Sequence, residues 1–232
     1  MKQIMQILKS HIVSILFFSV TLVLIFAEYN QWEMVLYILK PMLIPLLLWQ
    51  YILTAKHKCY WYIIALGFAF LSNLFLLSNA SECVLLGIIS FLFYRIATII
   101  TVLKVGSPVL LLPLILATLP FIFVFTYLIY IIIPPDNPNF YPSIINDLII
   151  SIFSGLGLSQ YVMHDNKQNS WLIISTLLFT FLVVVFMIQH FYLSNIVFQP
   201  VSALVFSLGH YAFYMFMKET ESDENQTTMD RP

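Results

Sequence analysis

The chain has 232 residues, of which 61% are hydrophobic and only 9% are charged, and its mean hydropathy is +0.93. A soluble domain carries about 25% charged residues, so this composition excludes an ordinary soluble globular protein. The net charge of −1, without a basic patch, argues against binding to nucleic acid. Long apolar runs without strand alternation predict an all-α polytopic membrane helix bundle rather than a β-barrel.

Eight apolar stretches are long enough to cross a bilayer, which takes about 20 residues in a helix. In chain order they cover residues 11–27, 34–53, 60–78, 83–104, 108–133, 141–164, 170–191 and 196–217. Short polar segments such as EYNQWE and PPDNPN separate them. We predict one domain of eight transmembrane helices over residues 1–217. A polar tail over residues 218–232 is predicted to be disordered and cytoplasmic.

The distribution of positive charge predicts the orientation of this bundle. Eight of the ten Lys and Arg residues flank the same side of the predicted spans: Lys2, Lys9, Lys56, Lys58, Lys104, Lys167, Lys218 and Arg231. The opposite loops carry the acidic residues Glu28, Glu33, Glu82 and Asp136. The positive-inside rule therefore predicts that both termini are cytoplasmic. We expect the protein to reside in the cell (inner) membrane.

Lys40 lies inside the second predicted span and is followed directly by Pro41. A charged residue at membrane depth costs about 2.5–3.5 kcal/mol on insertion scales, so its presence is by default a sign of function. Pro41 lacks a backbone donor and disfavours helical geometry at Lys40, which predicts a loosened helix at this point. The alternative is that Lys40 is near enough to the outer boundary for its side chain to reach water.

The sixth predicted span has a polar face that should point into the bundle. Asp147, Ser151, Gly155 and Ser159 recur every four residues, which aligns them along one side of a helix. Small residues at this spacing allow close helix contact in membranes. Asp147 is also near the start of its helix, where the helix dipole alone favours an acid.

Depth along each span, counted at about 1.5 Å per residue, separates the polar residues into two layers. The outer layer contains Lys40, Asn73, Asp147 and Gln189, whereas the inner layer contains Arg95 and His210. We predict that Lys40 and Asp147 neutralise each other in an outward-opening cavity. The five histidines are scattered without metal-ligand spacing, and motifs of soluble enzymes are absent, so neither a metal site nor a cofactor is expected.

The order and spacing of these features resembles the YhhN-like lysoplasmalogenase family of eight-span membrane proteins. The resemblance is carried by a Lys-Pro motif at 39–41, a pattern like GLxFSxxGD at 65–73 and one like FxxAHxxY at 91–98. It continues with a pattern like GAxLFxxSD and a following triplet within 175–191, and with a Tyr-rich stretch at 209–214. Spacing is matched better than identity over nearly the whole chain.

The resemblance implies hydrolysis of the vinyl-ether bond of lysoplasmalogens, which releases a fatty aldehyde and a glycerophospho-base. It also implies that two membrane aspartates act as the acid–base groups. In this sequence those positions are Asn73 and Val183, which cannot exchange a proton, and the family's histidine position is Arg95. Of the polar constellation only Lys40 is kept. Asp147 is the acid that can replace one aspartate, and the predicted spans offer no second one.

We therefore predict a protein that keeps a cavity for a lysophospholipid, an ether lipid or another amphiphile but lacks the family's acidic pair. The candidate catalytic residues are Lys40, Asn73 and Asp147. The candidate substrate-binding residues are Arg95, Gln189, His210 and Tyr211. Two alternatives remain: an active vinyl-ether hydrolase that uses Asp147 with Lys40, and a small transporter or accessory membrane subunit.

Overall fold

A computed structural model describes residues 2–78, 80–193 and 195–229, with side-chain positions described for 9–78, 80–189, 192–193 and 195–221. Arg231, which contributes to the predicted orientation, lies outside these residues, as do the side chains of Lys2, His190 and Phe191.

Eight α-helices and one π-helical turn make up the described part of the chain, which contains no β-strand. In chain order these are α1 (Lys2–Asn30), α2 (Glu33–Thr54), α3 (Tyr60–Phe75), α4 (Ser81–Val105), α5 (Leu111–Ile132), α6 (Phe140–Met163), α7 (Lys167–Met187), the π-helical turn (Ile188–Tyr192) and α8 (Phe198–Met229). Within the described residues, seven helices are long and apolar enough to cross a membrane. The protein is therefore an all-α, multi-pass membrane helix bundle.

Helix α3 is apolar but is shorter than the seven helices that are long enough to cross a membrane. Its 16 residues rise about 24 Å, whereas the hydrocarbon core of a bilayer is about 30 Å thick. The predicted span 60–78 is longer because the chain leaves the helix after Phe75. There the N–H groups of Leu77 and Ser78 donate to the carbonyls of Leu74 and Phe75 in tighter turns. All eight predicted helices are present, while eight complete membrane crossings remain a prediction.

The helices pack as successive hairpins. Helices α1 and α2, α3 and α4, α5 and α6, and α7 and α8 form contacting pairs. Helix α6 also contacts α4 and α7, and α8 contacts α1 and α2. Helix α5 packs mainly against α6 and, at 22%, is the least buried of the seven described helices that are long and apolar enough to cross a membrane.

The small residues of α6 allow two neighbouring helices to approach it closely. Ser151, Gly155 and Ser159 are all buried, as the four-residue spacing predicts. A Cβ atom added at Gly155 would collide with Thr118 of α5, including its backbone. A Cβ added at Gly157 would collide with Thr176 of α7. Close approach of α6 to both neighbours therefore depends on these two glycines.

Helix α2 continues without interruption through Pro41 and Pro45. The sequence predicts a loosened helix at Lys40, but the helix does not break there. Each proline removes one backbone donor, but the remaining bonds and the buried neighbours Leu43 and Leu47 hold the helix together.

Helix α8 runs past the predicted end of the membrane domain at Met217. Gln168 Nε2 donates to Thr220 Oγ1 at 2.7 Å, and Lys167 Nζ lies 2.9 Å from Glu219 Oε1. Thr220 is itself buried. Residues 218–221, which the sequence assigns to a disordered tail, thus belong to α8, where Glu219 and Thr220 contact the start of α7.

Candidate functional site: a charged cavity at one end of the bundle

A cavity of about 240 Å³ opens among seven of the eight helices. It is formed where α1, α3 and α7 end and where α2, α4, α6 and α8 begin, so it lies at the end of the bundle opposite the amino terminus. Its charged residues are Glu28, Lys40, Arg95 and Asp147. Its other polar residues are Asn73, Ser78, Ser143, Asn146, Gln189, Gln199 and Ser202. The remaining wall is apolar and includes Leu24, Leu43, Ile88, Phe91, Val183 and Phe206.

Lys40 is paired with Glu28 in this cavity. Lys40 Nζ lies 2.7 Å from Glu28 Oε1, and the side chains are 31% and 4% exposed respectively. The predicted ion pair between Lys40 and Asp147 is therefore wrong, although both residues line the same cavity. The prediction failed because it placed Glu28 in an outer loop. Helix α1 instead continues to Asn30 and carries Glu28 inward on its last turn.

Asn73 lies beside the Lys40 backbone at the cavity wall. Its Nδ2 donates to the carbonyl of Lys40 at a distance of 3.4 Å. This contact joins the end of α3 to α2. The buried Ala65 and Ala69 precede Asn73 at four-residue steps, which places the three residues on the same face of α3.

Among the described residues, Arg95 and Asp147 are buried charges that have no ion-pair partner within 4 Å. Each residue is only 4% exposed, and both line the cavity. Arg95 Nε and Nη1 and Asp147 Oδ2 have no hydrogen-bond partner among the described residues. The Arg95 guanidinium lies 5.5 Å from the centre of the Phe91 ring, and its charge acts on Asp147. Arg95, which the depth count assigns to the inner layer, therefore lines the same cavity as the outer-layer residues, because it faces that cavity from α4.

Buried charges without partners are costly, so this arrangement has a chemical consequence. An uncompensated charge in a low-dielectric site is strongly destabilising unless a partner arrives. Arg95 offers hydrogen-bond donors, and Asp147 offers an acceptor. Two further cavity atoms, Asn146 Oδ1 and Ser202 Oγ, are also buried without a partner in the described part of the chain. The cavity is thus suited to a ligand that carries both acceptors and donors.

Gln189 reaches the cavity from the π-helical turn that follows α7. A π-helical segment widens the helix by one residue per turn and occurs frequently at functional sites. Gln199 approaches the same cavity from the beginning of α8. The turn between α7 and α8 therefore supplies two amide side chains to the site.

His210 and Tyr211 are not part of the cavity lining, in contrast to the prediction that they bind substrate. His210 is buried among the rings of Tyr94, Phe179 and Phe206, with ring-centre distances of 5.1, 4.9 and 4.3 Å. Tyr211 instead packs on α1, where its ring centre is 4.7 Å from that of Phe18. Rotation about the α8 axis turns both side chains away from the cavity.

Sequence reasoning missed Glu28, Asn146 and Ser202. For Glu28 a signal exists in the sequence: Thr21, Leu24 and Glu28 follow at three- and four-residue steps, and all three are buried. This periodicity extends the buried face of α1 past the apolar run. Asn146 and Ser202 gave no comparable signal, because single amides and hydroxyls near helix starts are common.

The fold and the cavity define a membrane helix bundle with a charged, partly apolar internal site. The YhhN family model matches residues 35–218, which is most of the chain, and the protein belongs to the YhhN family. Comparisons with curated proteins and with solved structures give no match. Helix α1, which contributes Glu28, precedes the matched residues.

Proposed function

We propose that this YhhN family protein binds a single-chain amphiphile, of the lysophospholipid or ether-lipid class, with its polar head in the charged cavity. The observation that carries the proposal is Arg95: a buried guanidinium with two unpartnered nitrogens that faces a cavity. Guanidinium groups bind phosphate through parallel hydrogen bonds, and such charge-assisted bonds are stronger than neutral ones.

The rest of the cavity is complementary to such a ligand. Asp147 Oδ2 can accept a hydrogen bond from an ammonium or hydroxyl group of the head. Phe91, Ile88 and Phe206 provide an apolar wall beside Arg95. Mixed linings of this kind, mostly apolar with a few convergent polar groups, are typical of small-molecule sites. The cavity exceeds the roughly 150 Å³ void that is known to admit benzene.

Binding without the family's hydrolysis is the preferred form of this proposal. The resemblance aligns the two catalytic aspartates with Asn73 and Val183, and both of these residues line the cavity. An amide and an aliphatic side chain cannot transfer a proton, so the acid–base pair implied by the family is missing from its own positions. Lys40 forms an ion pair with Glu28 and does not replace the missing acid–base pair.

One observation favours an active vinyl-ether hydrolase as the second candidate. Glu28 and Asp147 both line the cavity, so the site contains two carboxyl groups although the sequence offered one. Hydrolysis would require one acid to protonate the vinyl carbon and a base to deliver water to the adjacent carbon. The products would be an aldehyde and the free hydroxyl of the glycerophospho-base.

The test of binding uses purified full-length protein in detergent, with bound lipid identified by native mass spectrometry. We expect a co-purifying lysophospholipid or ether lipid with the native chain and its loss in Arg95→Gln. Arg95→Lys, which keeps the charge, should retain part of the binding, and Lys58→Gln, on the exposed loop between α2 and α3, should retain all of it. Equal lipid occupancy in Arg95→Gln and native protein would contradict the proposal.

The hydrolase is distinguished by incubating the same protein with a lysoplasmalogen and measuring aldehyde. The preferred form predicts no aldehyde above the level of the empty membrane control. Aldehyde release that disappears in both Glu28→Gln and Asp147→Asn would support the second candidate instead. A polar solute in place of lipid in the mass spectra would favour a transporter.

A further inference from the structure

A second cavity lies between α5 and α6 on the outside of the bundle. Its volume is about 180 Å³. It is lined almost entirely by apolar and aromatic residues, with Asp147, Ser151 and Thr126 as the polar exceptions: Ile122, Phe125, Thr126, Ile129, Tyr130, Phe140, Ile144, Asp147, Leu148 and Ser151. We call this cavity the α5–α6 groove.

The α5–α6 groove is open to the surroundings of the bundle. Tyr130 is 86% exposed and Leu148 is 43% exposed, and both lie at its rim. All of its lining residues belong to α5 or α6, so no third helix of the described chain lines it. Because α5 and α6 are both long and apolar enough to cross a membrane, we expect the groove to face the bilayer.

Asp147 connects the two cavities. It lines both the charged cavity and the α5–α6 groove, so the two cavities share this residue. An acid next to hydrocarbon is expensive and is normally shielded or used. Its unpartnered Oδ2 and the nearby charge of Arg95 indicate that the junction is polar on the inner side.

We infer that the α5–α6 groove holds the hydrocarbon chain of the amphiphile whose polar head occupies the charged cavity. This inference rests on the proposed function. The bond region between head and chain then lies beside Asp147. A lipid entering this way keeps its chain in the membrane while its head reaches Arg95, so the chain need not be extracted into water.

The physical role of the groove is orientation rather than affinity. Lipid tails are as apolar as the groove wall, so moving a chain from the bilayer into it gains little hydrophobic free energy. What the groove supplies is a fixed exit direction for the chain. The head group is thereby held in one orientation relative to Arg95 and Asp147, as positioning a ligand requires.

The experiment uses two photoreactive lysophospholipids with the purified full chain in bilayer nanodiscs. One carries a diazirine on the chain and the other carries it on the head group. The chain probe should label peptides of α5 and α6 that line the groove, and the head probe should label the α4 peptide containing Phe91 and Arg95. A photoreactive two-chain phospholipid serves as the control for unspecific contact with bulk lipid.

Two variants sharpen this test. Thr126→Trp places a large ring in the groove and should abolish labelling of groove peptides by the chain probe. Val124→Trp is the matched control, because Val124 is an exposed α5 residue that does not line the groove. Labelling by the head probe should persist in both variants.

The outcomes separate this inference from the proposed function. If the chain probe labels the same peptides as the two-chain control lipid, or if its labelling is unchanged in Thr126→Trp, the inference is overturned. Head-probe labelling of the Arg95 peptide in the same experiment leaves the proposed function intact. If the head probe does not label the Arg95 peptide of the native chain, or if this labelling persists in Arg95→Gln, the proposed function itself is overturned. A chain probe that labels only residues of the charged cavity also overturns the inference.

Discussion

Lys40 Nζ on α2 lies 2.7 Å from Glu28 Oε1 on α1, and this ion pair forms one wall of the charged cavity. Glu28 neutralises the lysine that the sequence singles out. Asp147 is consequently left to face Arg95 and the cavity. The pair also ties α1, which precedes the matched YhhN residues, to the site.

The Glu28–Lys40 pair should show coupling in a double-mutant cycle. Breaking one member of a buried pair typically costs about 3–5 kcal/mol, and the partial exposure of Lys40 lowers the expected cost to about 1–3 kcal/mol. Glu28→Gln should lower the thermal unfolding temperature in detergent, and adding Lys40→Met should restore part of it. Lys40→Met combined with Asp147→Leu should show no such recovery. The opposite pattern would support the Lys40–Asp147 pair that the sequence predicts.

Arg95 should reduce the stability of the ligand-free protein. Replacing a buried charge that has no hydrogen-bond partner among the described residues by an apolar side chain of similar size removes its desolvation cost. Arg95→Met should therefore unfold at an equal or higher temperature than the native chain after exhaustive delipidation. Added lysophospholipid should raise the unfolding temperature of the native chain but not of Arg95→Met. A lower temperature for delipidated Arg95→Met would mean that Arg95 has a structural partner.

Gly155 should be intolerant of any side chain. Gly155→Ala pushes a Cβ against Thr118, including its backbone, and overpacking of this kind costs about 1–3 kcal/mol. Gly67→Ala is the matched control, because nothing lies near the added Cβ and the site is exposed. We expect a lower unfolding temperature for Gly155→Ala and an unchanged or higher one for Gly67→Ala. Equal behaviour of the two would contradict the close α5–α6 contact.

The end of α8 should contribute to stability up to Glu221. Truncation after Met217 removes the Gln168–Thr220 hydrogen bond and the Lys167–Glu219 ion pair. Leaving the buried Gln168 amide without this partner costs about 1–3 kcal/mol. Truncation after Glu221 keeps both contacts and should unfold like the full chain. If the two truncations unfold at the same temperature, residues 218–221 do not stabilise the bundle.

The predicted orientation can be tested with single cysteines in a background of Cys59→Ser and Cys83→Ser. Asp136→Cys lies in the exposed connection between α5 and α6, and Lys58→Cys lies in the exposed connection between α2 and α3. The positive-inside rule predicts that an impermeant maleimide labels the first in intact cells and the second only after permeabilisation. Labelling of both in intact cells would contradict the predicted topology.

Several site residues were predictable because membrane depth and helix spacing are local properties. Lys40, Asn73, Arg95, Asp147 and Gln189 all line the charged cavity, and the position of each in its span was sufficient to select it. A polar residue within an apolar span must face the bundle interior, whatever the partner is. The buried face of α6 followed in the same way from its small residues.

The sequence by itself determined the class of protein. In apolar runs of membrane length, helices satisfy the hydrogen bonds of the backbone N–H and C=O groups within each run. The YhhN pattern extends through most of these runs. Only the tertiary structure decided which charges meet. Glu28 and Asp147 were both available to Lys40, and the choice depends on the rotation and neighbours of each helix, which are set by packing among distant segments. The same packing turned His210 away from the cavity and left Asp147 between the polar interior and the α5–α6 groove.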